Sequence, residues 1–201
     1  EEFPCDVLHI DTGWFKEDWV CDWKFCQEKF PNPEQYISEL REAGYRITLW
    51  QTPDISRKSD VAAHAEEMGY LPSVDATAEA GSDFSMQDIC GPIDFSNPDA
   101  CNWYKNDLLK PLLQMGEAAI KTDFGENIPM QASYHSLPAS LLRNRYALLY
   151  QKAAFEISEE LYGEWNALVW ARAGWAGCQR YPVHWGGDAE SSWEGMAGSL
   201  K

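Results

Sequence analysis

The sequence predicts an α/β domain built on parallel strands, and three observations predict it. Short β-prone apolar runs alternate with helical patterns, an Asn-Pro-acid signal opens two of the helices, and a charged side chain follows strand after strand. In chain order, Asp6-Val7-Leu8-His9-Ile10 reads as a strand ending in the polar turn Asp11-Thr12-Gly13. Asn32-Pro33-Glu34 then begins a helix, with Asn as cap, Pro at the first helical position and Glu against the positive end of the dipole. Tyr36, Ile37 and Leu40 give that helix an apolar stripe, Gly44 ends it, and Arg46-Ile47-Thr48-Leu49-Trp50 is the next strand.

Residues 51–95 are the main irregular stretch, with a helix expected over Asp60 to Met68 and a loop over Gly81 to Phe95. A loop that long beside a strand end is more often functional than idle. Asn97-Pro98-Asp99 opens a helix through Trp103, Leu108 and Leu109, which Pro111 should kink or break. Gly116 separates it from the strand Ala118 to Asp123. A long helix follows from Pro138 to Leu161, with Leu141, Leu142, Tyr146, Leu149, Ala153 and Ile157 on one side. Ala167 to Arg172 is a further strand, Tyr181 to Trp185 a short fifth one, and a last helix begins near Ser191.

The chain has 201 residues, room for one domain, and a formal net charge of −16. That charge argues against a nucleic-acid partner, whose phosphates it would repel. No apolar run approaches the roughly 18 residues of a membrane span, so no membrane partner is expected. Six cysteines without CxxC or zinc spacing point to free thiols in a reducing cytosol, and the opening EEFPCDVLHI has no signal-peptide pattern. Ten tryptophans supply flat apolar surface of the kind that meets the C–H faces of sugars, although core packing is the ordinary role of an aromatic.

Asp11, Asp54, Asp123, Arg172 and Asp188 all follow strands. Any one carboxylate there is ordinarily a cap or a solvated turn, but parallel strands gather such groups at one face. The sharpest motif is Lys121-Thr122-Asp123-Phe124-Gly125-Glu126. Lys121 and Asp123 are two apart and share a side of their strand, so the cation should favour an ionised Asp123, as a nucleophile requires. The second motif is Tyr181-Pro-Val-His-Trp-Gly-Gly-Asp188. Its glycines allow a ligand close to the backbone, and the indole of Trp185 should keep Asp188 protonated as a general acid. Two carboxyls about 5–5.5 Å apart would support double displacement.

At these residues the chain resembles glycoside hydrolase family 31, in particular its bacterial α-xylosidase-like members. Four blocks carry the likeness: Asp11 with Trp14, Leu49-Trp50 with Pro53, Lys121 to Glu126, and Ala171-Arg172 through His184-Trp-Gly-Gly-Asp188. The resemblance implies a partial (β/α)8 TIM barrel comprising about the second to sixth of eight strands. It makes residues 1–201 an incomplete catalytic domain of a larger glycosidase, with the other strands and the flanking β-domains as intramolecular partners. It implies Asp123 as the nucleophile that forms a glycosyl ester and Asp188 as the acid/base. Arg172 and Asp11 would bind sugar hydroxyls, Lys121, Trp50 and Trp185 would line the sugar site, and Trp14 and His184 complete the substrate-binding set. The expected partner is an α-linked oligosaccharide or glycoside, with no cofactor and no metal.

Two departures from the family pattern bear on specificity. Thr12-Gly13 replaces bulkier residues, which leaves room for a hexose, and Asp54 stands where an aromatic is common. α-Xyloside, α-glucoside, α-galactoside and a sulfonated glucose all stay open, as does association into a homo-oligomer. Asp123-Phe124-Gly125 is also the metal-binding triplet of protein kinases, but the glycine-rich loop and catalytic-loop signals that reading needs are absent from the sequence. A sugar-binding fragment without turnover is the stronger rival, and an open barrel would leave strand edges unpaired. His9, His64, His135 and His184 form no metal-binding pattern, and His9 reads as a barrel-interior residue. Glu126 could orient a neighbouring group or serve as the acid instead of Asp188.

Overall fold

The structure, a computed structural model, describes residues 4–74 and 88–200. Its centre is a four-stranded parallel sheet of β1 (Val7–Ile10), β2 (Arg46–Gln51), β6 (Glu117–Thr122) and β8 (Val169–Ala171), in that order. Spatial order follows chain order, as in a barrel wall, and helices fill the intervals. The sheet does not close. β1 is half exposed along its outer edge, whereas β2 is buried from Ile47 to Gln51, as a parallel strand covered on both faces must be.

α1 (Pro33–Glu42) and β2 lie where the sequence puts them. Asn32 makes no side-chain cap bond, while Asn97 accepts from the Asp99 N–H and does cap α3 (Pro98–Trp103). The expected break at Pro111 is absent. α3 continues through a π-helical stretch, Tyr104–Leu109, into α4 (Lys110–Met115). Proline has no N–H to give and its ring crowds the carbonyl four residues back, so the wider turn just before it relieves both problems. Gly116 then ends α4 with φ 119°, a backbone state that favours glycine.

The long helix expected from Pro138 is two helices, α5 (Ala139–Leu142) and α6 (Tyr146–Tyr162). Arg143-Asn144-Arg145 between them are all exposed and offer no apolar residue to hold the turn on the core. Leu141, expected on the buried side, is exposed, whereas Tyr146, Tyr150, Ala153, Ala154 and Ile157 form the buried face of α6.

The irregular stretch contains α2 (Ala62–Glu67), inside its expected span, and short strands that periodicity did not suggest. β3 (Asp54–Ser56) pairs antiparallel with β5 (Ile89–Pro92), and β4 (Ser73–Val74) with β7 (Ala132–Ser133). The expected loop over 81–95 therefore includes a strand at 89–92, and its residues 81–87 lie outside the described residues. The fifth strand, expected at Tyr181 to Trp185, is reduced to a single parallel bridge between His184 and Ala171. The Val183 N–H donates to the Val169 carbonyl in register with that bridge, but the Val169 N–H goes to the Pro182 carbonyl, one residue past the Tyr181 carbonyl a regular parallel ladder would use, so the ladder does not extend. α7 (Trp193–Ser199) is capped by Ser192, close to its expected start.

Candidate active site

Site residues collect at the carboxyl ends of the parallel strands. The ladder between β2 and β6 sets Trp50 opposite Lys121 and continues one residue further, with the Asp123 N–H donating to the Gln51 carbonyl at 3.0 Å. The Arg172 N–H donates to the Thr122 carbonyl at 3.1 Å, which brings β8's first loop residue beside Asp123. The chain then turns sharply: Phe124 has φ 55° and Gly125 φ 91°. A Cβ on Gly125 would come within 3.0 Å of the Tyr150 ring, so both backbone and space require glycine in this motif.

Asp123 is 7% exposed and fully engaged. Its Oδ2 accepts the Trp50 indole N–H at 2.6 Å; its Oδ1 accepts the Phe124 N–H at 2.9 Å and lies 3.0 Å from an Arg172 guanidinium nitrogen. Three donors from three elements hold one carboxylate on a strand end. Arg172 also donates through Nε and a terminal nitrogen to the two oxygens of Glu126, at 2.7 and 2.9 Å, and its guanidinium lies 4.0 Å over the Phe124 ring. The Glu126 hydrogen bond, aided by the charges of Asp123, Glu126 and Asp188, holds Arg172 above its ordinary pKa against partial burial. With both oxygens occupied by Arg172, Glu126 acts as an anchor for that cation.

The cation on Asp123 is thus Arg172, not Lys121 as expected from their spacing. Lys121 instead reaches past β2 to Asp11, Nζ to Oδ2 at 2.9 Å, and sits about equally far from the Trp170 and Trp185 rings, at 5.2 and 5.1 Å. His9 shares Asp11 from the other side at 2.9 Å and contacts the Thr48 hydroxyl at 2.8 Å. Partial burial works against the charge on Asp11, but hydrogen bonds from Lys121, His9 and the Thr12 N–H outweigh it and hold the carboxyl below its usual range. Burial pushes His9 down, Asp11 notwithstanding.

Asp54 belongs to the same ensemble. Burial, reinforced by the negative charge of Glu126, pushes its carboxyl up to about 6, despite a hydrogen bond from the Thr52 hydroxyl and the charge of Arg172. Asp188 stands exposed on the turn after Gly187, close enough for its charge to act on Arg172. The Trp185 indole packs on Trp170, 5.6 Å between ring centres, and on Lys121.

The structure therefore brings Asp11, Trp50, Lys121, Asp123, Arg172 and Trp185 together, with Asp188 at the rim. Trp14 lies elsewhere: it is fully buried, and its N–H is spent on the Trp50 carbonyl at 2.9 Å, so it supports Trp50 from behind. His184 is exposed at the open edge with its ring against Gly174. Sequence reasoning missed Trp170, although it stands two residues before Arg172 on one strand, the same alternation that joined Lys121 to Asp123. It also missed Trp19, 56% exposed and edge-on to Trp50 at 5.7 Å, which no periodic signal marks.

Known proteins share this arrangement of strands. An α-xylosidase of Emericella nidulans is 38% identical over 98% of this chain and 25% of its own length. The α-xylosidase XylQ of Lactiplantibacillus pentosus is 35% identical over 85% of the chain and 22% of its own. The chain thus spans about a quarter of the curated relatives it matches. Among solved structures, a family 31 α-xylosidase from a soil metagenome, complexed with xylose, superposes with a TM-score of 0.84 at 24% identity, over 99% of this chain and 30% of that one, which speaks to the fold. The parallel, unclosed sheet is accordingly part of a (β/α)8 barrel. Residues 1–201 match the TIM-barrel domain of glycosyl hydrolases family 31, and the chain belongs to that family.

Proposed function

We propose that this chain is the catalytic segment of a longer retaining α-glycosidase that cleaves uncharged α-linked sugars, α-xylosides foremost. The observation that carries the reading is the setting of Asp123: a carboxylate at a strand end, oriented by the Trp50 N–H, the Phe124 N–H and Arg172. In the first step Asp123 attacks the anomeric carbon as its bond to the leaving oxygen breaks, and Asp188 gives its proton to that oxygen. The product is a glycosyl ester on Asp123. In the second step Asp188, now a carboxylate, takes a proton from water, the water oxygen bonds to the anomeric carbon, and Asp123 departs as a carboxylate. Two inversions retain the configuration.

Charge supports an uncharged substrate. Lys121 and Arg172 are both paired with carboxylates, and Asp54 and Asp188 stand beside them. A sulfonated glucose would find no unpaired cation among these residues and would meet an excess of negative charge. Relatedness to two α-xylosidases supports the xyloside, while the empty space beside Gly13 leaves room for the larger C6 of a glucoside. Among the described residues the sheet runs from β1 to the His184 bridge beside β8 without closing, so turnover is expected of the complete polypeptide and not of this segment alone. Hydrolysis of aryl α-xyloside, α-glucoside and α-sulfoquinovoside by the complete enzyme, followed by proton NMR, tests this. The α-anomer of xylose should appear first. Initial release of the β-anomer would refute retention, and preference for the sulfonated substrate would refute the charge argument.

A further inference from the structure

His9 is a titratable group beside the site that the two-step chemistry leaves without a task. It lies on β1 in register with Thr48 of β2. β1 and β8 are the outer strands of the sheet, and in a flat sheet three strand spacings would hold them roughly 14 Å apart. Yet the His9 ring meets the Trp170 ring of β8 edge-on, with 4.9 Å between centres. The sheet therefore curls until side chains of its first and last strands touch, and His9 lies on the concave face, directly behind Asp11.

Both ring nitrogens have partners: Nε2 lies 2.9 Å from Asp11 Oδ2, and Nδ1 lies 2.8 Å from the Thr48 hydroxyl. Partial burial opposes the charge on Asp11, but its hydrogen bonds keep the carboxyl below its usual range, so it is an anion that only accepts. The ring proton is therefore on Nε2, and Nδ1 accepts the Thr48 hydroxyl proton. Burial and the charge of Lys121 favour this neutral imidazole; Asp11 and Lys121 are the charged groups facing it. Lys121 donates to the same Oδ2 at 2.9 Å, while Oδ1 accepts the Thr12 N–H at 3.0 Å. The Asp11 side chain is 53% exposed and that of His9 20%, so the carboxylate fronts the open strand ends with the imidazole at its back.

Resting on the glycosidase reading above, with Asp11 as a ligand of a sugar hydroxyl, we propose that His9 is a positioning residue, a neutral imidazole that fixes the rotation of the Asp11 carboxylate and so its hydrogen bond to the sugar. Lys121 alone does not fix that rotation, because an ammonium on a flexible stem carries rotatable donors and follows the carboxylate as it turns. The imidazole N–H is a single directed donor, locked on its far side by a hydroxyl of the neighbouring strand. Donors from β1 and β6 on Oδ2, with a backbone N–H on Oδ1, hold the carboxylate in one orientation.

The test measures kcat/KM of the complete enzyme on 4-nitrophenyl α-xyloside and its 2-, 3- and 4-deoxy analogues for His9→Phe, His9→Gln and Thr48→Val. Phenylalanine keeps the edge contact with Trp170 and removes both nitrogens, whereas glutamine puts an amide N–H near the Nε2 position. His9→Phe should lower kcat/KM for the parent xyloside about 10- to 100-fold, and His9→Gln should recover most of that loss. One analogue lacks the hydroxyl that Asp11 binds, and Asp11→Asn identifies it as the substrate on which that change costs least. On that analogue the loss from His9→Phe should shrink to about threefold or less. Thr48→Val, which keeps a β-branched residue on the strand and frees the ring, should show the same pattern at smaller size. Equal losses on every substrate, no loss on the parent, or a His9→Gln enzyme as poor as His9→Phe would overturn the assignment. A native enzyme that cleaves neither these xylosides nor the matching α-glucosides would overturn the glycosidase reading itself, and this assignment with it.

Discussion

Replacing Trp50 by Phe removes one hydrogen-bond donor from Asp123 and little else. The indole N–H lies 2.6 Å from Oδ2, and the two residues are 1% and 7% exposed, so water cannot substitute for it freely. A phenyl ring keeps the edge contacts with Phe15, Trp19 and Phe124, and Trp14 still donates to the backbone carbonyl of residue 50. A hydrogen bond to a charged group contributes about 1.5–3 kcal/mol. In the second step Asp123 regains its charge, and with about half of it developed in the transition state the loss is roughly 0.75–1.5 kcal/mol, a factor of about 4 to 13 in rate. In the first step the carboxylate gives up charge, so losing the donor does not slow attack through this interaction. The variant should therefore accumulate the glycosyl ester: with a dinitrophenyl α-xyloside, stopped-flow traces should show a burst of phenolate, kcat should fall and kcat/KM should hold. If kcat and kcat/KM fall together without a burst, the N–H acts by positioning the nucleophile and the electrostatic argument is wrong.

Three further outcomes follow from other contacts. Asp188→Ala should abolish cleavage of unactivated glycosides but keep the first step on dinitrophenyl substrates, whose leaving group needs no proton; if Glu126→Gln behaves that way instead, the acid has been misassigned. Gly125→Ala forces an alanine to φ 91° and a Cβ to within 3.0 Å of the buried Tyr150 ring, so it should cost about 1–2 kcal/mol or more and lower Tm by several degrees in a thermal melt. Glu117, 1% exposed, gives one oxygen to the Leu49 N–H and leaves the other unpartnered, and burial pushes its carboxyl well above the ordinary 4.5. Since the folded protein holds that proton more tightly than the unfolded chain, stability due to Glu117 is present below pH 4.5 and is lost as pH rises toward the folded value. The Tm of the native protein minus that of Glu117→Gln should therefore fall between pH 4 and pH 8, and a flat or rising difference in differential scanning fluorimetry would contradict the burial argument.

Where periodicity and end signals coincide, the fold is legible in the sequence. Pro33 and Gly44 bracket α1 closely, and the β-prone runs at residues 6, 46, 118 and 167 are the four strands of the sheet. Legibility fails where an element depends on a distant partner. β3 is three residues long and exists because residues 89–92 return to pair with it, which no local pattern encodes. Asn32 and Asn97 present the same Asn-Pro-acid signal, yet only Asn97 has the extended backbone that directs its side chain at the helix N–H groups. Pro111 is read as a kink or a break because the sequence does not show that a π turn can carry the helix past it.

The candidate site divides along the same line. Alternation on β6 puts Lys121 and Asp123 on one face, but a lysine stem spans several residues, and only the fold reveals that its partner is Asp11. Trp14 and Trp50 are indistinguishable as letters; one lies behind the other, and only the nearer one reaches Asp123. The arrangement of Arg172 between Asp123 and Glu126 is the feature sequence reasoning came closest to without reaching, since it named all three residues and not the bond among them.

The central claim is that Asp123 is the nucleophile, and covalent trapping addresses it directly. Incubation of the complete enzyme with 5-fluoro-α-xylosyl fluoride, followed by intact-mass measurement and peptide mapping, should give one adduct, on the Lys121–Glu126 segment at Asp123. An adduct on Glu126, Asp188 or any other carboxylate would contradict the account.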